Sequence, residues 1–466
     1  MHLSYGGCIL VYAMLLSLNN ETTSMQTANK KVINGWAMYD WANSVYNLVI
    51  TTTFFPIYFL GITKAAYGEN GVPLFGRTFK NSALYDYTLA IAYLAIACLL
   101  PILSSIADSR GNKKKFMQFF CYLGGIACIG LYFFKGPEPV VLLGTTLFAL
   151  AAIGYAGSLV FYNSYLPEIA APEDRDHISA RGFSMGYIGS VILQILGFAL
   201  VLYFSGKGDD TSGPRYTFLL VGLWWIGFAQ ITFARLPKSV AAVKTHTTNF
   251  VTEGFLELKK VASQINSMPI LKRYLLAFFF YSMGVQTVML AATVFGKQLL
   301  NLDDTKLIIT IVVIQVVAIA GAFIMAKLSS VYGNFKVLIS VVFMWILICI
   351  CAYLIADAAE NGANAEYGFY GLAAAVGLVM GGIQSLSRST YSKLMPATKD
   401  TASYFSFYDV TEKVALVIGL FSFGFIDELA GMKNSVLALI VFFVFGIIML
   451  IAALRKQDET NKVIAG

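Results

Sequence analysis

Stretches of about 20 apolar residues, the length a helix needs to cross a bilayer core about 30 Å thick, follow one another along almost the whole chain. Counting from Val32, they fall near residues 33–61, 84–107, 116–134, 139–163, 181–204, 215–235, 274–298, 307–330, 336–356, 367–391, 403–426 and 433–454, twelve in all. Inside lipid every backbone N–H and C=O needs an internal partner, so each run is predicted to be a helix. The fold class is thus an all-α membrane protein. Composition agrees: 58% of residues are hydrophobic and 13% charged, where a soluble domain has roughly 45–50% and 25%.

The net charge of +7 is a topology signal and gives no reason to expect nucleic acid. With residues at a span's edge counted in the adjoining loop, 21 of the 33 lysines and arginines lie in the termini and even-numbered loops, 9 in odd-numbered loops and 3 inside spans. By the positive-inside rule both termini are expected in the cytoplasm. All six cysteines, Cys8, Cys98, Cys121, Cys128, Cys349 and Cys351, sit in apolar stretches without a pairing or metal-binding pattern, so they read as small core residues. The apolar stretch from Leu3 to Leu18 lacks a basic flank and precedes Met25, which is expected to be the true start.

The expected layout is an N-terminal extension (1–32), a six-helix bundle (33–235), a cytoplasmic linker (236–272), a second six-helix bundle (273–454) and a cytoplasmic tail (455–466). The linker carries EGFLELKK with charges at helical spacing and reads as a surface helix. The two halves echo each other: the fourth run ends in NSYLPEIA (Asn163–Ala170) and the tenth in RSTYSKLMP (Arg388–Pro396). Features repeated six spans apart imply an ancestral repeat, and transporters build their binding site where such repeats meet.

Polar residues inside the spans carry the functional reading. Span one contains NGWAMYDWANSVYN, which places Asp40, Asn43 and Asn47 at i, i+3 and i+7 on one helix face. An aspartate there costs at least about 2.5–3.5 kcal/mol to insert and is retained where it has a partner or a task. In span ten Gln384, Arg388 and Tyr391 share a stripe suited to a carboxylate, although Arg388 also lies near enough to the helix end to reach the interface as an anchor. Span eleven holds Asp409, Glu412 and Lys413. A pair between Asp409 and Lys413 at i, i+4 would leave Glu412 over as a titrating proton carrier. Gln194, Gln286 and Gln315, each alone in its span, read as interhelical contacts.

The loop SSIADSRGNKKK (Ser104–Lys115) resembles the signature loop of the major facilitator superfamily in its aspartate, its glycine and its basic run, and departs from it at Ser104, Ser109 and Asn112. Asp108 is expected to face the N-terminus of span eleven, where unpaired N–H groups favour an anion. With Arg110, Gly111 and Lys113 it is expected to close the cytoplasmic side, joined by Glu168 and Arg181 from the fourth loop.

NGWAMYDWANSVYN, SYLPEIAAPEDRDHISARGFSMGYIG and GGIQSLSRSTYSKLMP together resemble the vacuole-effluxer-like branch of the same superfamily, over essentially the whole chain after Val32. The resemblance implies alternating-access transport of a small polar solute, with amino acids as the leading cargo. A coupling proton or cation and a monomer embedded in the bilayer are expected. The histidines are scattered outside the spans and no HExxH, GxSxG or paired aspartate motif is present. Neither an enzyme nor a cofactor or metal site is therefore expected. A non-transporting receptor on the same fold is the alternative, and only a short tail follows the last span to carry a signal.

Overall fold

The computed structural model describes residues 25–68, 71–135, 140–238, 250–300, 302 and 304–465. Parts of two predicted segments, the N-terminal extension (1–24) and the linker (239–249), lie outside the described residues. Twelve long helices correspond to the apolar runs: α1 (Lys30–Tyr67), α2 (Asn81–Arg110), α3 (Lys113–Gly130), α4 (Val140–Asn163), α5 (Arg175–Ser205), α6 (Ser212–Arg235), α7 (Pro269–Gln298), α8 (Asp304–Tyr332), α9 (Asn334–Glu360), α10 (Glu366–Leu394), α11 (Thr401–Ala430) and α12 (Met432–Ala465).

Eleven of these are long and apolar enough to cross a membrane. The exception is α11, whose apolar run is interrupted by Asp409, Glu412 and Lys413 and closed by Asp427 and Glu428. It nevertheless packs lengthwise on α2, α7 and α12. Outward-facing side chains such as Ile91, Leu99, Phe119, Ile126, Leu202 and Phe421 are large, apolar and exposed, a surface suited to lipid and not to water. The chain is a multi-pass integral membrane protein.

Helices α1 to α6 form one bundle and α7 to α12 the other, and the halves meet along two seams, α2 with α11 and α5 with α8 and α10. A separate linker helix (Phe250–Ser267) crosses the first seam: it packs on α2, while Lys260 pairs with Asp400 at 3.3 Å and Gln264 accepts from the Tyr404 hydroxyl at 2.9 Å. Between α1 and α2 a short hairpin pairs β1 (Val72–Leu74) with β2 (Arg77–Phe79) in antiparallel register. Its turn has positive φ at both Phe75 (49°) and Gly76 (75°), the backbone twist a two-residue hairpin needs.

Two local departures position the site. First, α1 widens to π-helical geometry over Tyr46–Phe54, just before Pro56, and the Thr52 and Thr53 hydroxyls both donate to the Leu48 carbonyl at 2.8 and 2.9 Å. Proline cannot supply the helical N–H, and a wide turn with hydroxyl partners accommodates that loss. Second, α8 and α10 touch backbone to backbone: a methyl group on Gly381 would overlap the Ala318 carbonyl oxygen, and one on Gly321 the Leu378 carbonyl. Carbonyls cannot rotate aside, so Gly381→Val is expected to destabilise the C-terminal bundle by about 1–3 kcal/mol or more. Thermal unfolding in detergent measures this, and a melting temperature equal to wild type would show that the two helices can separate freely.

Candidate functional site

Both sets of sequence-predicted charges meet around one cavity of about 120 Å³ between the two bundles. That is space for on the order of ten waters. From α1 it is lined by Asp40, Ser44, Asn47 and Thr51, from α10 by Gln384 and Arg388, and from α11 by Asp409, Glu412 and Lys413. The α1 stripe therefore runs i, i+4, i+7, i+11. Asn43 is buried but is not among the lining residues, and neither its side-chain nitrogen nor its oxygen has a partner among the described residues.

At the base of the cavity Arg388 is only 2% exposed, so it is not an interfacial anchor. Its guanidinium donates to Asp40 Oδ2 through Nη1 (3.0 Å) and Nη2 (3.1 Å), to Asn163 Oδ1 (3.2 Å), and to the Ser179 hydroxyl and carbonyl (both 2.9 Å). Tyr162 donates a further hydroxyl to Asp40 Oδ2 at 2.7 Å. The guanidinium also lies 4.7 Å from the Trp36 ring centroid and 4.1 Å from that of Phe183. One residue of α10 is thus held by α1, α4 and α5 of the opposite bundle. Asn163 and Arg388, the first residues of the two echoing motifs, are in direct contact. Tyr391 is turned elsewhere: it does not line the cavity, and its hydroxyl donates to the Tyr404 carbonyl of α11 at 2.5 Å.

In the α11 cluster the expected pair of Asp409 and Lys413 forms, but Lys413 is shared with Glu412. Lys413 Nζ lies 2.9 Å from Glu412 Oε2 and 3.6 Å from Asp409 Oδ1, and Gln286 of α7 donates to Glu412 Oε1 at 2.9 Å. Glu412 is therefore not left over. Within the cluster the oxygen without a hydrogen-bond partner among the described residues is Asp409 Oδ2, on a residue 3% exposed. Spacing gave the i, i+4 pair, but a lysine's long stem also reaches its immediate neighbour, whose other oxygen is held by Gln286 of α7. Gln286, expected only as an interhelical contact, lines the cavity, as do Tyr93, Tyr281 and Tyr408. No spacing rule within one helix singles these out. Gln194 and Gln315 do join α5 to α8, at 2.8 Å.

On the side of the even-numbered loops the halves are closed. Asp108 accepts from the backbone N–H groups of Ala402 (3.3 Å) and Ser403 (2.8 Å) and from the Ser403 hydroxyl (2.8 Å), at the start of α11. Lys113 is 2% exposed, pairs with Glu168, and donates to the Thr401 hydroxyl at 2.8 Å. Gly111 ends α2 at φ 64°, a left-handed turn that glycine enters without strain. Arg110 is exposed and Arg181 half-buried. Near these loops Arg175 crosses the second seam, donating to the carbonyl of Ser392 (2.7 Å) as well as to those of Ala170 (3.0 Å) and Pro167 (3.2 Å) in its own half. Beside it Asp176 pairs with Lys393 at 2.6 Å and accepts from Ser329 and Asn334.

Residues 28–462 match the model of the vacuole effluxer Atg22-like family. The chain belongs to this family. It is 32% identical over 432 residues, 92% of this chain and 96% of the other, to YxiO of Bacillus subtilis (strain 168), described as an uncharacterized MFS-type transporter. It is 23% identical to autophagy-related protein 22-1 of Penicillium rubens, covering 84% of each. Among solved structures it resembles a bacterial homologue of the iron transporter ferroportin in an outward-facing state, with TM-score 0.65, 15% identity and coverage of 91% and 98%. It also resembles the transporter FucP in its outward conformation, with TM-score 0.61, 13% identity and coverage of 91% and 98%. The fold is that of the major facilitator superfamily. This Atg22-like protein is a membrane transporter with a small-molecule substrate.

Proposed function

We propose that the protein is a secondary active transporter that moves small zwitterionic solutes, amino acids foremost, by alternating access, coupled to a proton or cation. The observation that carries this reading is the cavity: it sits between the two bundles, is lined by both acidic and basic side chains, and at about 120 Å³ has room for a small solute. A zwitterion's ammonium finds a carboxylate at Glu412, and its carboxylate finds the amide donors of Asn47 and Gln384, beside the Arg388 guanidinium whose N–H groups Asp40, Asn163 and Ser179 take in this state.

With both termini in the cytoplasm, as the positive-inside bias supports, the closed side is cytoplasmic and the conformation faces outward. Passage to the other state requires the Asp108, Lys113, Arg175 and Asp176 contacts to part and the Arg388 to Asp40 pair to open. Cargo and coupling ion shift that equilibrium only by binding the two states unequally. A monomer contains both bundles and the whole cavity, so no partner subunit is needed. The family's description as vacuole effluxers supports transport of a solute across the membrane.

Purified protein in liposomes preloaded with an unlabelled amino-acid mixture is expected to accumulate labelled amino acids by counterflow. Asp409→Asn is expected to remove the response to a pH gradient. An unchanged gradient response in that variant would take Asp409 out of the coupling step, and absence of counterflow for every amino acid would overturn the cargo class.

A further inference from the structure

The charged side chains that line the cavity are three acids, Asp40, Asp409 and Glu412, and two bases, Arg388 and Lys413. Arg388 is committed to Asp40, with two guanidinium nitrogens on the same carboxylate oxygen. Lys413 is shared between two carboxylates on its own helix, closer to Glu412 (2.9 Å) than to Asp409 (3.6 Å). Glu412 has a second donor in Gln286. The shortfall is therefore localised: one carboxylate lacks a full counter-charge, and its Oδ2 has no partner among the described residues although Asp409 is 3% exposed.

A buried carboxylate without compensation is costly, and the cost falls when a cation arrives. The aromatic side chains around the cluster fit that arrival. Tyr93 of α2 lies under the Lys413 ammonium at 5.2 Å. Tyr155 of α4, Tyr281 of α7 and Tyr408 of α11 also line the cavity, offering hydroxyl oxygens and ring faces that favour positive charge. The other charges facing the cavity, Arg388 and Asp40, already cancel.

We infer that the cavity is built to hold one net positive charge per cycle, seated at Asp409 Oδ2: a monovalent cation, proton or sodium, accompanies each zwitterionic cargo. This rests on the transporter reading above and adds to it a site, a sign and a stoichiometry. A neutral amino acid is then carried electrogenically, and a cargo with its own extra positive charge occupies the same seat and excludes the co-ion.

Two measurements test it. The first needs no cargo: thermal unfolding of the purified full chain, comparing sodium chloride with choline chloride at fixed pH, and pH 6 with pH 8 in choline. One of the two cations is expected to raise the wild-type melting temperature by a few degrees, and Asp409→Asn is expected to lose most of that rise. If neither sodium nor protons stabilise the wild type more than Asp409→Asn, the seat does not exist, whatever the protein transports. The second uses wild-type liposomes and a labelled neutral amino-acid mixture, with a potassium diffusion potential of about 100 mV, inside negative. One co-transported charge allows accumulation to rise by up to about fifty-fold over zero potential. Accumulation that ignores the potential, in liposomes that do show counterflow, overturns the one-charge stoichiometry. Absence of counterflow instead condemns the cargo class and leaves the cation seat to the first measurement. Uptake that follows sodium but not pH, or the reverse, identifies the co-ion.

Discussion

Arg388→Ala is expected to abolish counterflow and to lower the melting temperature, the largest loss foreseen for any single substitution. The guanidinium makes two contacts to Asp40 and three to Asn163 and Ser179, all buried. Its removal leaves Asp40 buried with only the Tyr162 hydroxyl. Breaking a buried pair by deleting one partner costs about 3–5 kcal/mol, which is on the order of 10²–10⁴ in a conformational equilibrium. Arg388→Lys should rescue little, because one ammonium cannot reach Asp40, Asn163 and both Ser179 oxygens at once. The double variant Asp40→Asn, Arg388→Gln removes both charges together and should recover melting temperature relative to Arg388→Ala, while transport stays lost. Wild-type transport by Arg388→Lys would show that only the charge matters and that the fork geometry is incidental.

How far this site was readable from the chain depends on the range of each interaction. Hydropathy located the helices because membrane insertion is a sum over consecutive residues. It is weakest where function intrudes, and α11 fails the apolar criterion through the same charges that line the cavity. Helical spacing brought Asp40 and Asn47 onto the cavity wall but put Asn43 there too. The lining stripe actually centres on Ser44, one residue or about 100° around the helix. Distance from the helix end left an interfacial anchor open for Arg388 beside a place in the site; α1, α4 and α5 cover it, and burial by another bundle leaves no mark on its own helix. The contact of Asp108 with the start of α11 was legible because a helix N-terminus and an anion attract whatever the surrounding sequence. Arg175 went unnoticed beside Arg181 for the opposite reason: its partners are backbone carbonyls, which carry no sequence signal. Gln286 and the four tyrosines belong to the same category, since each gains its role from helices distant in the chain.

Asp108→Ala is expected to open the even-loop side. Asp108 takes two backbone N–H groups and one hydroxyl at the start of α11, and no side chain of α11's own N-cap residue, Asp400, replaces it there. Loss of a cap costs about 1 kcal/mol and loss of a hydrogen bond to a charged group about 1.5–3. These bonds cross between the bundles, so most of their loss weakens the closed state alone. A net change of about 2–4 kcal/mol shifts the open fraction by roughly 30-fold to 1,000-fold. The readout is alkylation of Ser44→Cys, in a background without native cysteines, by a membrane-impermeant maleimide applied from the even-loop side. Ser44 lines the cavity, so in the wild type it lies behind the closed gate and should react slowly from that side. In Asp108→Ala the rate should rise at least about tenfold, with the rate from the opposite side falling as the population moves. Lys113, Glu168 and Thr401 still bridge the same seam, so adding Glu168→Gln should increase the rate again, and by more than either change predicts alone if the two sets of contacts hold one gate. An unchanged rate in the double variant would mean that closure resides in the α5 seam, at Arg175 and Asp176, and that Asp108 serves only to start α11.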